Sequence, residues 1–416
     1  MELIRILNRC HHFRGFVYRR ARFSDDHKSI EITVRPRKGT AAICSRCHQP
    51  ASGYDQLPER RFEFIPFWGF FVFLLYAMRR VDCRRCDAVV VEQVPWADGK
   101  RTLTKAYMLF LARWARRLSW KETAAAFHTS WEKVFDAVEH VVTWGLQHRS
   151  LGQIDAIGVD EIQYAKGHKY LTLVYQIDLG VTRLLWVGKE RTIESFQGFF
   201  TAMGKQVIAG ICFVCSDMWK PYLKLIRANC PQALHILDRF HIVANMNKAL
   251  DQVRAEEAGR LQREGRHPVL KKSRWLLLRR NENLGTEQRF RLRELLRFNL
   301  KTVRAYLLKE VFQQLWDYNS PAWAGKFLDE WCRQTIRSRI EPMKKIARSL
   351  RQHRQLILNY FHAQKLLSSG VVEGLNNKAK VTMRKSYGFR TYRVLELALY
   401  HTLGKLPEPE CTHKFF

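Results

Sequence analysis

The spacing of apolar positions changes several times along this chain. From Asp155 to about Ala258, short runs rich in Val, Ile and Leu alternate with stretches whose apolar residues recur every three to four positions, which predicts strands alternating with amphipathic helices. Residues 157–160 read as a strand ending in Asp160, and residues 170–177 as a second strand that turns through 178–180 into a third at 183–187. A helix is predicted over 192–205, then a strand over 211–216 ending at Asp217, a helix over 219–229, a strand Leu234–Leu237 ending at Asp238, and a long helix. Before this region, residues 1–96 carry β-type runs such as Ser29–Pro36, and residues 97–150 are apolar at helical spacing. After it, residues 259–365 are helical and basic with breaks at Gly285 and Ser320-Pro321, and a Ser368-Ser369-Gly370 turn opens a last helical segment, residues 366–416.

The central order, three strands, helix, strand, helix, strand, helix, is that of an RNase H-like fold. Right-handed crossovers then place the Asp217 strand beside the Asp160 strand. The fold class expected is multidomain α/β: an RNase H-like catalytic domain (151–258, completed by 366–416), interrupted by an α-helical insertion (259–365) and preceded by a zinc-ribbon-like domain (1–96) and a helix-turn-helix (97–150).

Charge adds a partner class. Lysine and arginine number 71 against 39 acidic residues, a formal charge of +32 spread over nearly the whole length. Such a surface gains affinity for a polyanion by releasing its counterions, so DNA or RNA is indicated without any sequence preference. Residues 1–22 show no cationic-then-apolar leader, and residues 64–78 are shorter than the roughly 20 residues of a spanning helix and contain Pro66 and Gly69. That stretch is read as sheet, and no membrane partner is expected. Within residues 259–309, 15 basic residues stand against 4 acidic ones, with Trp275 set among Lys271, Lys272, Arg274, Arg279 and Arg280. A solvated helical face is the bland reading; a clamp on the DNA backbone is the functional one.

Cys44-Ser-Arg-Cys47 and Cys83-Arg-Arg-Cys86 are two C-x-x-C pairs, and two such knuckles can give four thiolates to one structural zinc ion. Residues 61–80 between them are long enough for a hairpin that brings the knuckles together. His48 is read as a bystander. Cys212 and Cys215, also C-x-x-C, lie in an apparent buried strand, where residues three apart face opposite ways, and are read as core. Residues 120–127 and 131–144 have the spacing of a helix-turn-helix, with Ser130 placed to cap the second helix and Lys121 and Lys133 available to phosphates.

The carboxylates carry the chemistry. Asp160 and Asp217 at neighbouring strand ends, with Glu373 at the start of a helix after the Ser-Ser-Gly turn, supply the three acids that hold two magnesium (or manganese) ions in in-line phosphoryl transfer. Glu161 is adjacent to Asp160 and must face the other way. Any one such acid is more often a turn residue or helix cap, and their joint placement is what points to a site.

With these acids in view, the chain resembles the ISL-three family of bacterial insertion-sequence transposases over essentially its whole length. The cysteine pairs look like its zinc finger, and Val159-Asp-Glu-Ile162 with Lys166-Gly-His-Lys-Tyr170 like its first catalytic block. Ser216-Asp-Met-Trp219 resembles the second, Leu237-Asp-Arg-Phe-His241 the signature after it, and Val372-Glu-Gly-Leu-Asn-Asn-Lys378 with Gly388-Phe-Arg390 the third. The resemblance implies a DDE transposase with Asp238 and His241 supporting the active site. It also implies Lys378, Arg384 and Arg390 near DNA, a homodimer or higher assembly on element ends and target DNA, and a cytoplasmic, nucleoid-associated location in a prokaryote. A nuclease or resolvase on the same fold and an inactive, zinc-containing DNA-binding regulator are the competing readings.

Overall fold

The computed structural model describes residues 3–364, 370–386, 389 and 391–411. These form two compact units, Met1–Ser150 with Ala379–Phe416, and Leu151–Lys378. The expected segments 1–96 and 97–150 fall within one unit, and the segment 366–416 is divided between the two. Ser368, Ser369, Gly388 and Arg390 lie outside the described residues.

The first unit is built on a six-stranded sheet in the order Phe16–Phe23, Ser29–Pro36, Phe70–Cys83, Pro50–Phe67, Ala42–Ile43, with Ala88–Val91 also pairing with Phe70–Cys83. Pro50–Phe67 and Phe70–Cys83 form a long hairpin closed by Trp68 and Gly69, both at positive φ (52° and 82°). Two successive residues of that hand match the right-handed twist of the strands they join. Alternation buries Ile32, Phe62, Leu74 and Tyr76 around Trp96 on one face. Three helices follow: Lys105–Ala115, Trp120–Ala126 and Trp131–His148. Ser119 and Glu122 make a reciprocal capping box on the second, and Ser130 accepts from the Lys133 amide at the start of the third. Of the three alanines at 124–126 only Ala124 is buried.

The second unit holds a five-stranded sheet in the order Leu234–Leu237, Phe213–Ser216, Ala156–Ala165, Lys169–Asp178, Val181–Lys189. The last three are antiparallel neighbours, whereas Phe213–Ser216 runs parallel to both Ala156–Ala165 and Leu234–Leu237. Ile193–Ala209 and Lys220–Asn229 make the crossovers between them, and their apolar faces bury Phe196, Phe199, Tyr222 and Ile226 with Ile157 and Val214 of the sheet. Cys212 corrects the sequence expectation: the strand begins at Phe213, two residues later than expected, so Cys212 is exposed while Cys215 is buried.

The helix Arg239–Arg263 runs through Gly259 without a break, which moves the start of the insertion beyond the expected 258/259 boundary. A single mid-helix glycine costs only about 1 kcal/mol, and burial of Leu250, Val253 and Leu261 on one face offsets it. The helices that follow, through Arg354–His362, share one apolar core containing Leu277, Phe312, Trp331 and Leu350. Gly285 and Ser320 do stand at helix starts, those of Thr286–Leu295 and Pro321–Arg337. Among the described residues no helix is long and apolar enough to cross a membrane.

Candidate active site and metal centre

Strand register aligns the acids. Gly158 pairs with Cys215, so Asp160 and Asp217, each two residues further along parallel strands, are level; Ser216 pairs with Leu237, so Asp217 and Asp238 are level too. Adjacent strands lie about 4.8 Å apart, so three aspartates stand in one row across the sheet. Asp217 and Asp238 directly follow their strands, whereas Asp160 lies within Ala156–Ala165, opposite Leu173, and not at the strand end expected from the sequence. The side chains are only 16%, 13% and 9% exposed, so each needs partners.

Asp160 accepts from Asn376 Nδ2 at 2.6 Å, and His241 Nε2 lies 3.4 Å from its other oxygen. Asp217 accepts from the Trp219 amide at 2.9 Å and from Arg191 at 2.8 Å. Asp238 accepts from the Phe240 amide at 2.6 Å, capping the helix Arg239–Arg263 and setting His241 one turn in. His241 is pushed up to about 9 by its hydrogen bond to Asp160, against the opposing effect of burial and with further help from the charges of Asp160, Asp238 and Asp217.

Glu161 points away from His241, toward the helix Lys220–Asn229, where its surroundings include Tyr222. Arg191 Nε lies 3.0 Å from it, so one guanidinium spans Glu161 and Asp217 while also lying over the Trp219 ring at 4.6 Å. Burial pushes Glu161 up to about 7, with the charges of Asp217 and Asp160 adding to that and Tyr222 and Arg191 working against it. The two neighbours on this strand thus have different electrostatic surroundings.

Glu373 lies in the helix Gly370–Lys385 and is exposed. Two features seat that helix on the sheet. Asn376, one turn after Glu373, bridges Asp160 and the hydroxyl of buried Tyr175, which donates to its Oδ1 at 2.8 Å. A Cβ on Gly158 would lie 2.3 Å from Val372 Cγ2, so only glycine at this strand position lets Val372, the residue before Glu373, come down onto the sheet. Glu373 walls a small pocket together with Arg239, Phe240 and Arg280.

The cysteines form a separate centre in the first unit. The sulfurs of Cys44, Cys47, Cys83 and Cys86 all lie within 4.8 Å of one another, with Cys44 to Cys86 at 3.9 Å and Cys47 to Cys83 at 3.6 Å. Ligands about 2.3 Å from a tetrahedral zinc are separated by roughly 3.8 Å, so the set fits one ion. Backbone amides of Cys47 and Arg46 help lower Cys44 to about 6. His48 bonds to Gln93 at 2.8 Å instead. Among the described residues this is the only group of three or more Cys, His, Asp or Glu donors gathered so tightly; the aspartates of the row engage Arg191, His241, Asn376 and backbone amides.

A family model described as Transposase, that of the ISL-three group, matches residues 157–399, more than half of the chain and all of the carboxylate site. The chain belongs to the ISL-three family of insertion-sequence transposases. It is 28% identical over 381 residues to the transposase for insertion sequence element IS1001 of Bordetella parapertussis, covering 91% of this chain and 93% of that one. It is 29% identical over 410 residues to the transposase for insertion sequence element IS1557 of Mycobacterium tuberculosis, covering 92% and 90%.

Within this transposase family member, several expected DNA contacts have protein partners. Lys133 is paired with Glu63 at 2.5 Å and Arg274 with Asp251 at 3.0 Å, so neither presents a bare charge. Lys309, counted in the basic stretch, is buried against Leu277 O and Glu310. Lys121, Lys271, Lys272, Arg279, Arg280, Lys378 and Arg384 are exposed, and Trp275 is 58% exposed. Sequence reasoning missed Arg191 and Asn376. Asn376 was findable, because a polar residue three positions after a candidate catalytic acid shares its helix face; Arg191 sits in an irregular connection that no periodicity marks.

Proposed function

We propose that the chain is a DNA transposase that cuts insertion-sequence ends and joins them to target DNA, using Asp160, Asp217 and Glu373 as ligands for two metal ions. The observation that carries this reading is the level placement of Asp160 and Asp217 on adjacent parallel strands, with the Glu373 helix fastened to Asp160 through Asn376. The strand order, with its three antiparallel members followed by two parallel ones, supports an RNase H-like catalytic domain. Bound magnesium or manganese supplies Lewis acidity that activates the attacking oxygen, water or a DNA 3′-hydroxyl, and stabilises the leaving one. The protein's part is positional: Asn376 orients Asp160, the Trp219 amide and Arg191 orient Asp217, and Asp238 holds His241 beside the row, where its ring can meet an incoming phosphate.

The four thiols support a structural zinc, a closed site with no position left for chemistry. The helix pair Trp120–Ala126 and Trp131–His148, with exposed Lys121, fits a helix-turn-helix reader of end sequence, and exposed Lys271, Lys272 and Arg279 fit backbone contacts. The test is incubation with a supercoiled plasmid carrying both ends of the element that encodes the chain, with magnesium, followed by mapping of the cut strands. Nicks leaving 3′-hydroxyls at both ends are expected. End binding without any cut would favour the inactive regulator, and cutting of branched DNA without regard to ends would favour a resolvase.

A further inference from the structure

Beside Glu373 lies a cavity of about 200 Å³ that the catalytic reading does not use. Arg239 and Arg280 line it, Phe240 stands among its walls with 52% of its surface exposed, and Leu237 and Val243 add apolar sides. The volume is below the roughly 300–1,000 Å³ that encloses a whole small-molecule ligand, so it takes a fragment. Neither arginine makes an ion pair with any described residue, although the row of acids stands on the adjoining strands. Arg239 is steadied instead by the Trp316 ring at 5.5 Å. Phe240 is tied in position by the hydrogen bond its backbone N–H donates to Asp238, and the next residue, His241, touches Asp160.

We propose that this pocket receives a single nucleotide of the DNA end, the one flanking the scissile phosphate, turned out of the duplex. Arg239 and Arg280 hold its phosphates, and Phe240 stacks on its base. Each part follows from chemistry on the pocket wall: a guanidinium without a carboxylate partner suits phosphate, and an exposed ring in an apolar niche suits a base face, which stacks without regard to sequence. Glu373 lines the same pocket, so a nucleotide held there places its neighbouring phosphate beside that carboxylate. The proposal rests on the assignment of Glu373 and its partners as the cutting site.

The test is a binding experiment in EDTA with the full chain. Duplexes of the element end, labelled for fluorescence anisotropy, carry one unpaired nucleotide stepped through the junction with flanking DNA. An unpaired base costs less to extrude, so at one position the wild-type protein should bind about tenfold more tightly than to the fully paired duplex. Phe240→Ala should erase that gain and Phe240→Trp keep it, and Arg280→Ala should weaken binding at that position more than at others. Phe240 is exposed, so unchanged thermal unfolding is expected of both Phe240 variants and is measured alongside. Asp160→Ala should keep the preference, because no metal takes part. A gain at no position, or one that persists in folded Phe240→Ala, overturns the pocket while leaving the cutting site standing; a preference without any cleavage in magnesium removes the cutting site instead.

Discussion

Gly158 and Asn376 seat the helix that carries Glu373 on the sheet, although neither is a candidate ligand. Alanine at 158 drives a methyl group into Val372 and should destabilise the fold by about 1–3 kcal/mol, the usual cost of overpacking. The double variant Gly158→Ala/Val372→Ala should recover most of that in chemical denaturation; additive losses would mean that the contact does not set the helix. Removing the Asn376 side chain leaves the Tyr175 hydroxyl buried without a partner, at a cost of about 1–3 kcal/mol. Tyr175→Phe should restore stability to Asn376→Ala but not DNA cleavage, because Asp160 still lacks its orienting amide; recovery of cleavage would reduce Asn376 to a packing role. Asp217 and Asp238 could be seen in the sequence because a strand that ends in an acid leaves a run of apolar residues before it; Asp160 follows such a run too, although its strand continues to Ala165. Gly158 could not, since a glycine in a strand says only that something comes close, and the something lies over 200 residues away.

At the scale of elements, spacing revealed the strands and their order because each strand is buried on both faces or alternates cleanly, and handed crossovers then leave little choice of neighbours. Boundaries were less visible. The helix Arg239–Arg263 ignores Gly259, and the strand after Gly210 begins at Phe213, because packing overrides weak local preferences. The basic insertion is likewise thinner in free charge than its composition suggests, with Arg274 and Lys309 already committed to protein partners. Lys271, Lys272 and Arg279 remain exposed, and each phosphate contact they make contributes about 0.9 to the slope of log affinity against log salt. Neutralising all three should flatten that slope by up to about 2.7 on duplex DNA and leave the preferred end sequence unchanged. An unaltered slope would make the insertion a scaffold.

The whole molecule joins two chemistries that call for different metals. Four thiols gathered within 4.8 Å suit zinc, and under the proposed reading the level carboxylates of Asp160 and Asp217 would take magnesium. Metal analysis of the purified chain should find one zinc per molecule, lost in Cys44→Ser/Cys47→Ser, with faster hydrogen exchange in the hairpin Pro50–Phe67 and Phe70–Cys83 after chelation; full end binding by zinc-free protein would contradict a structural role. The C-x-x-C spacing made this centre legible, because both knuckles are local even though the hairpin between them is not. The carboxylate site was legible in its acids and in His241 but not in the rest of what holds them, since Arg191 and Asn376 meet the acids only through the tertiary fold. The most direct measurement is magnesium-dependent cleavage of end DNA by four single variants, each first shown to bind that DNA in EDTA. Asp160→Ala, Asp217→Ala and Glu373→Ala should bind and fail to cut, while Glu161→Gln binds and cuts; cleavage that survives Asp160→Ala but is lost in Glu161→Gln would contradict the assignment.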